Sequence, residues 1–346
     1  MRSPRVIVIV LALASATPAA ALAQWLNYPT PGIPRLPDGR PNLSAPAPRT
    51  PDGKPDLSGV WRGAGPIYRF NIAQDLDTRD VQPWAEALFL KRVRESRKDS
   101  PLARCMPVSV PFHNFFNLTR VVQTPSLMVM LYESPNSPHR TIYTDGRELP
   151  KDPNPAFLGY SVGRWDGETF VVTSAGFNAL GWLDSSGHPQ TESLRLTERM
   201  RRRDFGHLDF EITIDDPTVF TKPFTIKTER VLAADTDLLE DYCENERSRA
   251  HFSIDTSIKV SPSVVAAYAG VYALGPGRDI TVSVVDDLVF VRGLNEPKVP
   301  LIPTSATAFM STTTSAGFEF VKDKQGTVTH VIIRGIADEQ KAVRKK

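Results

Sequence analysis

Cysteine is almost missing from this chain, net charge is close to nil, and long apolar runs are confined to its first residues. There are two cysteines in 346 residues, Cys105 and Cys243, with no CxxC spacing and no adjacent histidine, which speaks against a zinc knuckle or a thioredoxin-like redox motif. A formal charge of +2 lacks the basic excess of a nucleic-acid binder, and a 41% hydrophobic content is too high for a disordered tail. There is no Gly-rich phosphate loop, no Gly-x-Ser-x-Gly elbow and no His-Glu-x-x-His helix, so the easily recognised nucleotide, serine-hydrolase and zincin classes are not indicated. His113, His139, His207, His251 and His330 share no metal-ligand spacing. Neither a metal nor an organic cofactor is expected.

The one apolar run follows Arg2 and Arg5, spans residues 6–14 and is followed by Ala21-Leu22-Ala23, so residues 1–23 read as a secretory signal. The expected location is outside the cytoplasm, with no membrane span left after cleavage. In an oxidising compartment a Cys105–Cys243 disulfide is the economical expectation, and its long loop is worth about 4–5 kcal/mol in the chain-entropy treatment. A free nucleophile and a metal thiolate are the alternatives.

Residues 24–58 hold nine prolines, too many for a regular element, and read as a linker or wrapping arm. Within this arm Pro37-Asp-Gly-Arg-Pro-Asn-Leu-Ser44 recurs as Pro51-Asp-Gly-Lys-Pro-Asp-Leu-Ser58. One long helix is expected over about 80–98, with Asp80 as N-cap and Trp84, Ala87, Leu88 and Val93 on its apolar face. From Pro125 the period changes to two. Asp166-Gly167 marks a hairpin, and residues 207–214 alternate Leu208, Phe210, Ile212 and Ile214 against Asp209, Glu211 and Thr213. Residues 235–245 read as a short helix or turn carrying Cys243, and a first β domain, 59–255, closes there. A smaller one, 262–346, contains strands around Ile280–Val284, Leu288–Val291, Phe318–Val321 and Val328–Ile333, a small open sheet or half barrel. The fold class is therefore all-β with one or two helices.

Gly59-Val60-Trp61 resembles the Gly-x-Trp opening of lipocalin-like barrels, and Gly270-Val271-Tyr272 repeats the pattern. The run Ala267-Tyr-Ala-Gly-Val-Tyr-Ala-Leu-Gly-Pro-Gly-Arg278, with Pro300-Leu-Ile-Pro303 and Gly317-Phe-Glu-Phe-Val321, resembles the small β domain appended to β-lactamase-like and D-aminopeptidase-like hydrolases. That resemblance implies an accessory domain without catalytic residues, because the Ser-x-x-Lys body is missing. The larger part, through Asp56-Leu-Ser-Gly-Val-Trp61, Tyr143-Thr-Asp-Gly-Arg147, Gly159-Tyr-Ser-Val-Gly-Arg-Trp-Asp-Gly167 and Leu194-Arg-Leu-Thr-Glu-Arg199, resembles a family of uncharacterised secreted bacterial proteins. This implies a periplasmic or secreted bacterial protein and no particular activity.

Chemistry concentrates in Trp182-Leu-Asp-Ser-Ser-Gly-His-Pro-Gln-Thr-Glu192, where Asp184, His188 and Glu192 share a loop before a strand. A histidine between carboxylates is suited to general acid–base work; a polar turn is the plain alternative. Glu192 and Glu198 share a parity with Leu194, Leu196 and Met200, which aims both inward, where Arg147, Arg164 or Arg199 is expected to neutralise one of them structurally. Without such a cation, Glu198 is the stronger acid–base candidate. Asp145-Gly-Arg147 reads as a turn, or as a barrel mouth where Arg147 holds a substrate anion, and Trp61, Trp165 and Trp182 could line an apolar pocket or pack in the core. The functional expectation is an extracytoplasmic lyase, isomerase or hydrolase acting on a small apolar or aromatic molecule. His188 is its base or acid, oriented by Asp184, with Glu192 or Glu198 as the second group and Arg147 against negative charge. The alternatives are a non-catalytic lipocalin-like carrier of a hydrophobe and an envelope docking protein.

Overall fold

Alternation of period two decides the architecture. The computed structural model describes residues 29–116, 118–134, 139–241, 254–311, 313, 316–335 and 338–345; the signal segment and Cys243 lie outside them. The first sheet runs β1 (Gly59–Trp61), β2 (Thr119–Gln123), β3 (Leu127–Tyr132), β4 (His139–Tyr143), β5 (Tyr160–Asp166), β6 (Thr169–Ala175), β7 (Arg195–Arg202), β8 (His207–Asp215) and β9 (Phe224–Val231). Strands neighbour in chain order, all antiparallel except β4 and β5, which meet in parallel at Tyr143 and Val162. On β8 every second residue, Leu208 to Ile214, is buried, as the alternation requires.

This sheet returns almost onto itself. Trp61 bridges Leu232 beyond the end of β9, the Arg62 N–H donates to the Val231 carbonyl at 2.9 Å, and the Ala233 N–H donates to the Val60 carbonyl at 2.7 Å. The enclosed lumen receives the second helix of the chain, α2 (Val110–Phe116), whose side chains from Val110 to Phe115 are all buried and whose Asn114 amide donates to Glu198 at 2.8 Å.

Helix α1 is Pro83–Arg94, shorter than expected. Pro83, which has no N–H to donate, takes the first helical position, so Asp80 ends a separate 3-10 turn, Thr78–Asp80, capped by Asp77. Residues Ser96 and Arg97 adopt left-handed conformations (φ 53° and 55°) after the helix ends. The buried face is Ala85, Phe89, Leu90 and Val93, not Trp84, Ala87 and Leu88, and Trp84 is 45% exposed. The cause lies in another part of the chain: Phe89, Leu90 and Val93 pack on Leu288 and Phe290 of the second sheet.

That second sheet, after α3 (Pro262–Ala266), comprises β10 (Gly270–Gly275), β11 (Arg278–Val285), β12 (Leu288–Gly293), β13 (Val299–Pro303), β14 (Ala308–Ser311), β15 (Gly317–Lys322), β16 (Val328–Arg334) and β17 (Gln340–Arg344). It goes beyond the expected half barrel and closes, because β10 pairs with both β11 and β17. Strand β17, Gln-Lys-Ala-Val-Arg, is too polar to announce itself; only Ala342 is buried in it. Arg94 pairs with Asp287 (2.8 Å) and Asp286 (3.1 Å), and Arg292 with Asp75 (2.9 Å), tying the two sheets together around α1. Among the described residues no helix is long and apolar enough to cross a membrane.

The proline-rich arm folds as its duplication implies. Thr50 and Gly53 repeat the bonds of Leu36 and Gly39: N–H of Leu36 to Arg40 O and Gly39 to Leu36 O in one copy, N–H of Thr50 to Lys54 O and Gly53 to Thr50 O in the other, all at 2.9 Å. Each copy is then fastened by its arginine, Arg35 to Asp235 (2.5 Å) and Arg49 to Glu168 (2.9 Å). Backbone bonds also hold the first copy, with the Gly206 N–H on the Leu43 carbonyl at 2.7 Å. A Cβ on Gly206 would lie 2.4 Å from the Leu43 Cβ. Gly206→Ala is therefore expected to lift this copy off the sheet at a cost of roughly 1–3 kcal/mol. Urea titration together with protease cleavage within residues 34–44 checks it; an unchanged midpoint and an uncut arm would contradict the docking.

Candidate active site

The loop before β7 is built around one carboxylate. Asp184 Oδ1 accepts from the backbone N–H groups of Ser186 (3.1 Å), Gly187 (3.0 Å) and His188 (3.2 Å), while Oδ2 accepts from Ile72 N–H (2.9 Å) and His188 Nδ1 (2.8 Å). Gly187 permits the tight winding with φ 113°, and the Leu183 N–H closes the loop on the His188 carbonyl at 2.9 Å. Asp184 is 2% and His188 5% exposed. Burial pushes the Asp184 carboxyl up, but the His188 charge and the hydrogen bonds outweigh it and hold the carboxyl below its ordinary value. Because this carboxylate only accepts, Nδ1 of a neutral His188 carries the hydrogen and Nε2 the lone pair. Nε2 has no hydrogen-bond partner among the described residues.

Helix α1 supplies the wall over the imidazole. Phe89 stacks on His188 with centroids 4.1 Å apart and planes 9° off parallel, and Phe290 lies beyond it at 6.4 Å. Glu86 sits one turn before Phe89, on the same side of the helix. Burial raises its carboxyl above the ordinary range, against the lowering effect of His188 and Lys298. Lys298 is lowered by burial, partly offset by Glu86, with its ammonium 4.8 Å from the Phe290 ring centroid. Its backbone is pinned by Gln74 Oε1 on its N–H (2.7 Å) and by the Asn71 amide on its carbonyl (3.4 Å), next to the same Ile72 that donates to Asp184. Arg92 stacks on Trp182 (4.2 Å) and donates to the Gly187 carbonyl (2.9 Å). Three buried side-chain atoms around the loop, Asn71 Oδ1, Ser186 Oγ and Gln190 Oε1, have no partner.

Of the expected site residues, Asp184, His188 and Trp182 come together here. Glu192 does not: it is exposed in the turn before β7, and the strand parity that aimed it inward begins only at Arg195. Glu198 is buried in the lumen as expected, but its partner is Arg140, with Nη2 to Oε2 at 2.6 Å and Nη1 to Oε1 at 3.2 Å, rather than Arg147, Arg164 or Arg199. Burial pulls the Arg140 guanidinium down, and the Glu198 charge more than compensates, leaving it above its ordinary value. This ion pair removes Glu198 as an acid–base group. Arg147, in the turn after β4, is exposed, paired with Asp145 (2.6 Å) and stacked on Tyr143 (3.8 Å), away from the Asp184–His188 loop's hydrogen bonds. Trp61 is core, with Nε1 on the Leu57 carbonyl at 2.9 Å, and Trp165 packs on Phe170, so the three tryptophans line no common pocket.

Sequence reasoning missed Glu86, Phe89, Lys298 and Arg140. Arg140 carried a usable signal, since it shares strand parity with buried Ile142. Lys298 carried none, because only the packing of the second sheet on α1 brings it near. Among the described residues no three His, Cys, Asp or Glu side chains gather in a metal-holding group. No protein-family model matches the chain, and no curated protein matches it.

Proposed function

We propose that this chain is an exported enzyme that transfers a proton on a small apolar or aromatic molecule, as a lyase, isomerase or hydrolase without an organic cofactor. His188 is the base or acid, Asp184 fixes its tautomer, Glu86 is the second acid–base group, and Lys298 stands against developing negative charge. The observation that carries this reading is the buried Asp184–His188 pair, Nδ1 on the carboxylate at 2.8 Å, with Glu86 close enough to feel the imidazole charge. Burial moves Glu86 upward and Lys298 downward, each toward the neutral range in which general acids and bases are most effective. Phe89, stacked on His188 and on Phe290, makes the surroundings of the imidazole apolar and aromatic, which suits an unsaturated or aromatic substrate. Export and a Cys105–Cys243 disulfide belong to the same proposal, with Cys105 ending the turn Pro101–Arg104 in a left-handed conformation.

The test is conversion, followed by mass spectrometry, of a panel of aromatic and apolar esters, lactones, hydroxy acids and enolisable ketones. At least one compound is expected to be consumed, and His188→Ala, checked by its melting curve to be folded, is expected to lose about a hundredfold or more of the rate. Undiminished conversion by folded His188→Ala would overturn the assignment. A compound retained but never converted would turn the site into a binding site.

A further inference from the structure

Arg140, Arg230 and Glu198 are almost wholly buried on the inner face of the first sheet, while Arg202, at the end of β7 and 6% exposed, spends its donors on the carbonyls of Asp56, Ser58, Asp204 and Phe205. Arg140 and Glu198 neutralise each other, and Ser161 (3.0 Å) and Ser174 (2.8 Å) accept from the remaining Arg140 donors. Arg230 has no such partner. It is 1% exposed, its Nη2 donates only to the neutral carbonyl (2.8 Å) and side-chain oxygen (3.2 Å) of Asn114, and its buried Nε has no acceptor. Phe210 lies 5.1 Å from it, a weak substitute for a counter-charge. Burial lowers Arg230 to about 10, which still leaves it protonated at neutral pH. Arg230 is thus a buried cation with no carboxylate bonded to it, a costly arrangement in a low-dielectric interior.

The inner face offers further unfilled capacity. Leu232 bridges Trp61, Trp61 pairs with Thr119, and Thr119 pairs with Tyr132, so these side chains share the face of Arg230, two residues before Leu232. Thr119 Oγ1 is fully buried there and also lacks a partner. Burial raises the Tyr132 hydroxyl, with smaller electrostatic effects from Arg140, Glu198 and Arg230.

We propose that this lumen binds one small monovalent anion, a halide or a formate-sized carboxylate, at Arg230. A single negative charge matches the one guanidinium of Arg230, whereas sulfate or phosphate would overcompensate it. Small size follows from α2, whose Asn114 and Phe115 side chains already occupy the lumen. The site is separate from the Asp184–His188 loop and stands or falls independently of it.

Urea unfolding at fixed ionic strength tests the proposal, with gluconate progressively replaced by chloride, bromide or formate. For one site, the unfolding constant falls tenfold for each tenfold rise in anion once the dissociation constant is exceeded, and comparison of the three anions separates halide from carboxylate. Arg230→Met is expected to abolish the dependence. In case that variant fails to fold, bromide-soaked crystals of the unaltered protein are expected to show an anomalous peak against the Arg230 guanidinium. A response equal to that in gluconate, a dependence retained in Arg230→Met, or bromide found only at the surface, an adventitious ion only, would each overturn it.

Discussion

Glu198→Gln is expected to destabilise the protein by about 3–5 kcal/mol in urea titration, although it exchanges one oxygen for an amino group. The carboxylate is wholly buried and accepts from Arg140 through both oxygens and from the Asn114 amide at 2.8 Å. In the glutamine variant one acceptor becomes a donor facing the Arg140 fork, and Arg140 joins Arg230 as an uncompensated buried cation. Against a typical total of about 5–15 kcal/mol, that loss leaves little reserve. The double variant Glu198→Met with Arg140→Met is expected to recover part of it, because removing both charges removes the desolvation penalty. Recovery is incomplete: Ser161 and Ser174 remain bonded to each other at 3.0 Å, but the Asn114 amide loses its acceptor. A Glu198→Gln midpoint within experimental error of the unaltered protein would mean that the pair is not desolvated as its burial indicates.

What the sequence made legible follows from the range of the interactions involved. Strand period, the Asp166-Gly167 hairpin and the arm duplication are local, and the structure contains them where the residues indicate. The Asp184–His188 pair was visible for the same reason: four residues separate its members, and a glycine between them allows the loop to close. Helix α1 was placed but its buried face misassigned, because that face is chosen by Leu288 and Phe290, roughly two hundred residues away. The same distance hid Glu86 and Lys298. Glu192 shows the opposite failure: strand periodicity was extended through a turn, where it no longer governs which way a side chain points. The Arg140–Glu198 pairing required knowing the strand order β4-β5-β6-β7, in which Arg140 reaches past Ser161 and Ser174 on one face to Glu198, and no local pattern encodes that order.

Asp184→Asn is expected to combine a modest loss of stability with a severe loss of turnover. The amide oxygen can still collect the N–H groups of Ser186, Gly187 and His188, so the loop keeps its winding. The new amino group, however, meets the Ile72 N–H, leaving a buried donor without an acceptor at about 1–3 kcal/mol. It also meets Nδ1. The imidazole relieves that clash by accepting at Nδ1 and moving its hydrogen to Nε2, which removes the lone pair from Nε2. A rate loss of roughly a hundredfold to ten-thousandfold follows for a reaction in which Nε2 acts as base. Stability gives an independent check. A carboxyl held below its ordinary value contributes stability above that range and loses it as pH falls through the folded-state value, so Asp184 steepens the acid limb of the unaltered protein. In Asp184→Asn this limb flattens, since the asparagine does not titrate. A variant with an unchanged acid limb and an unchanged rate would show that the five hydrogen bonds on this carboxylate hold a loop together and nothing more.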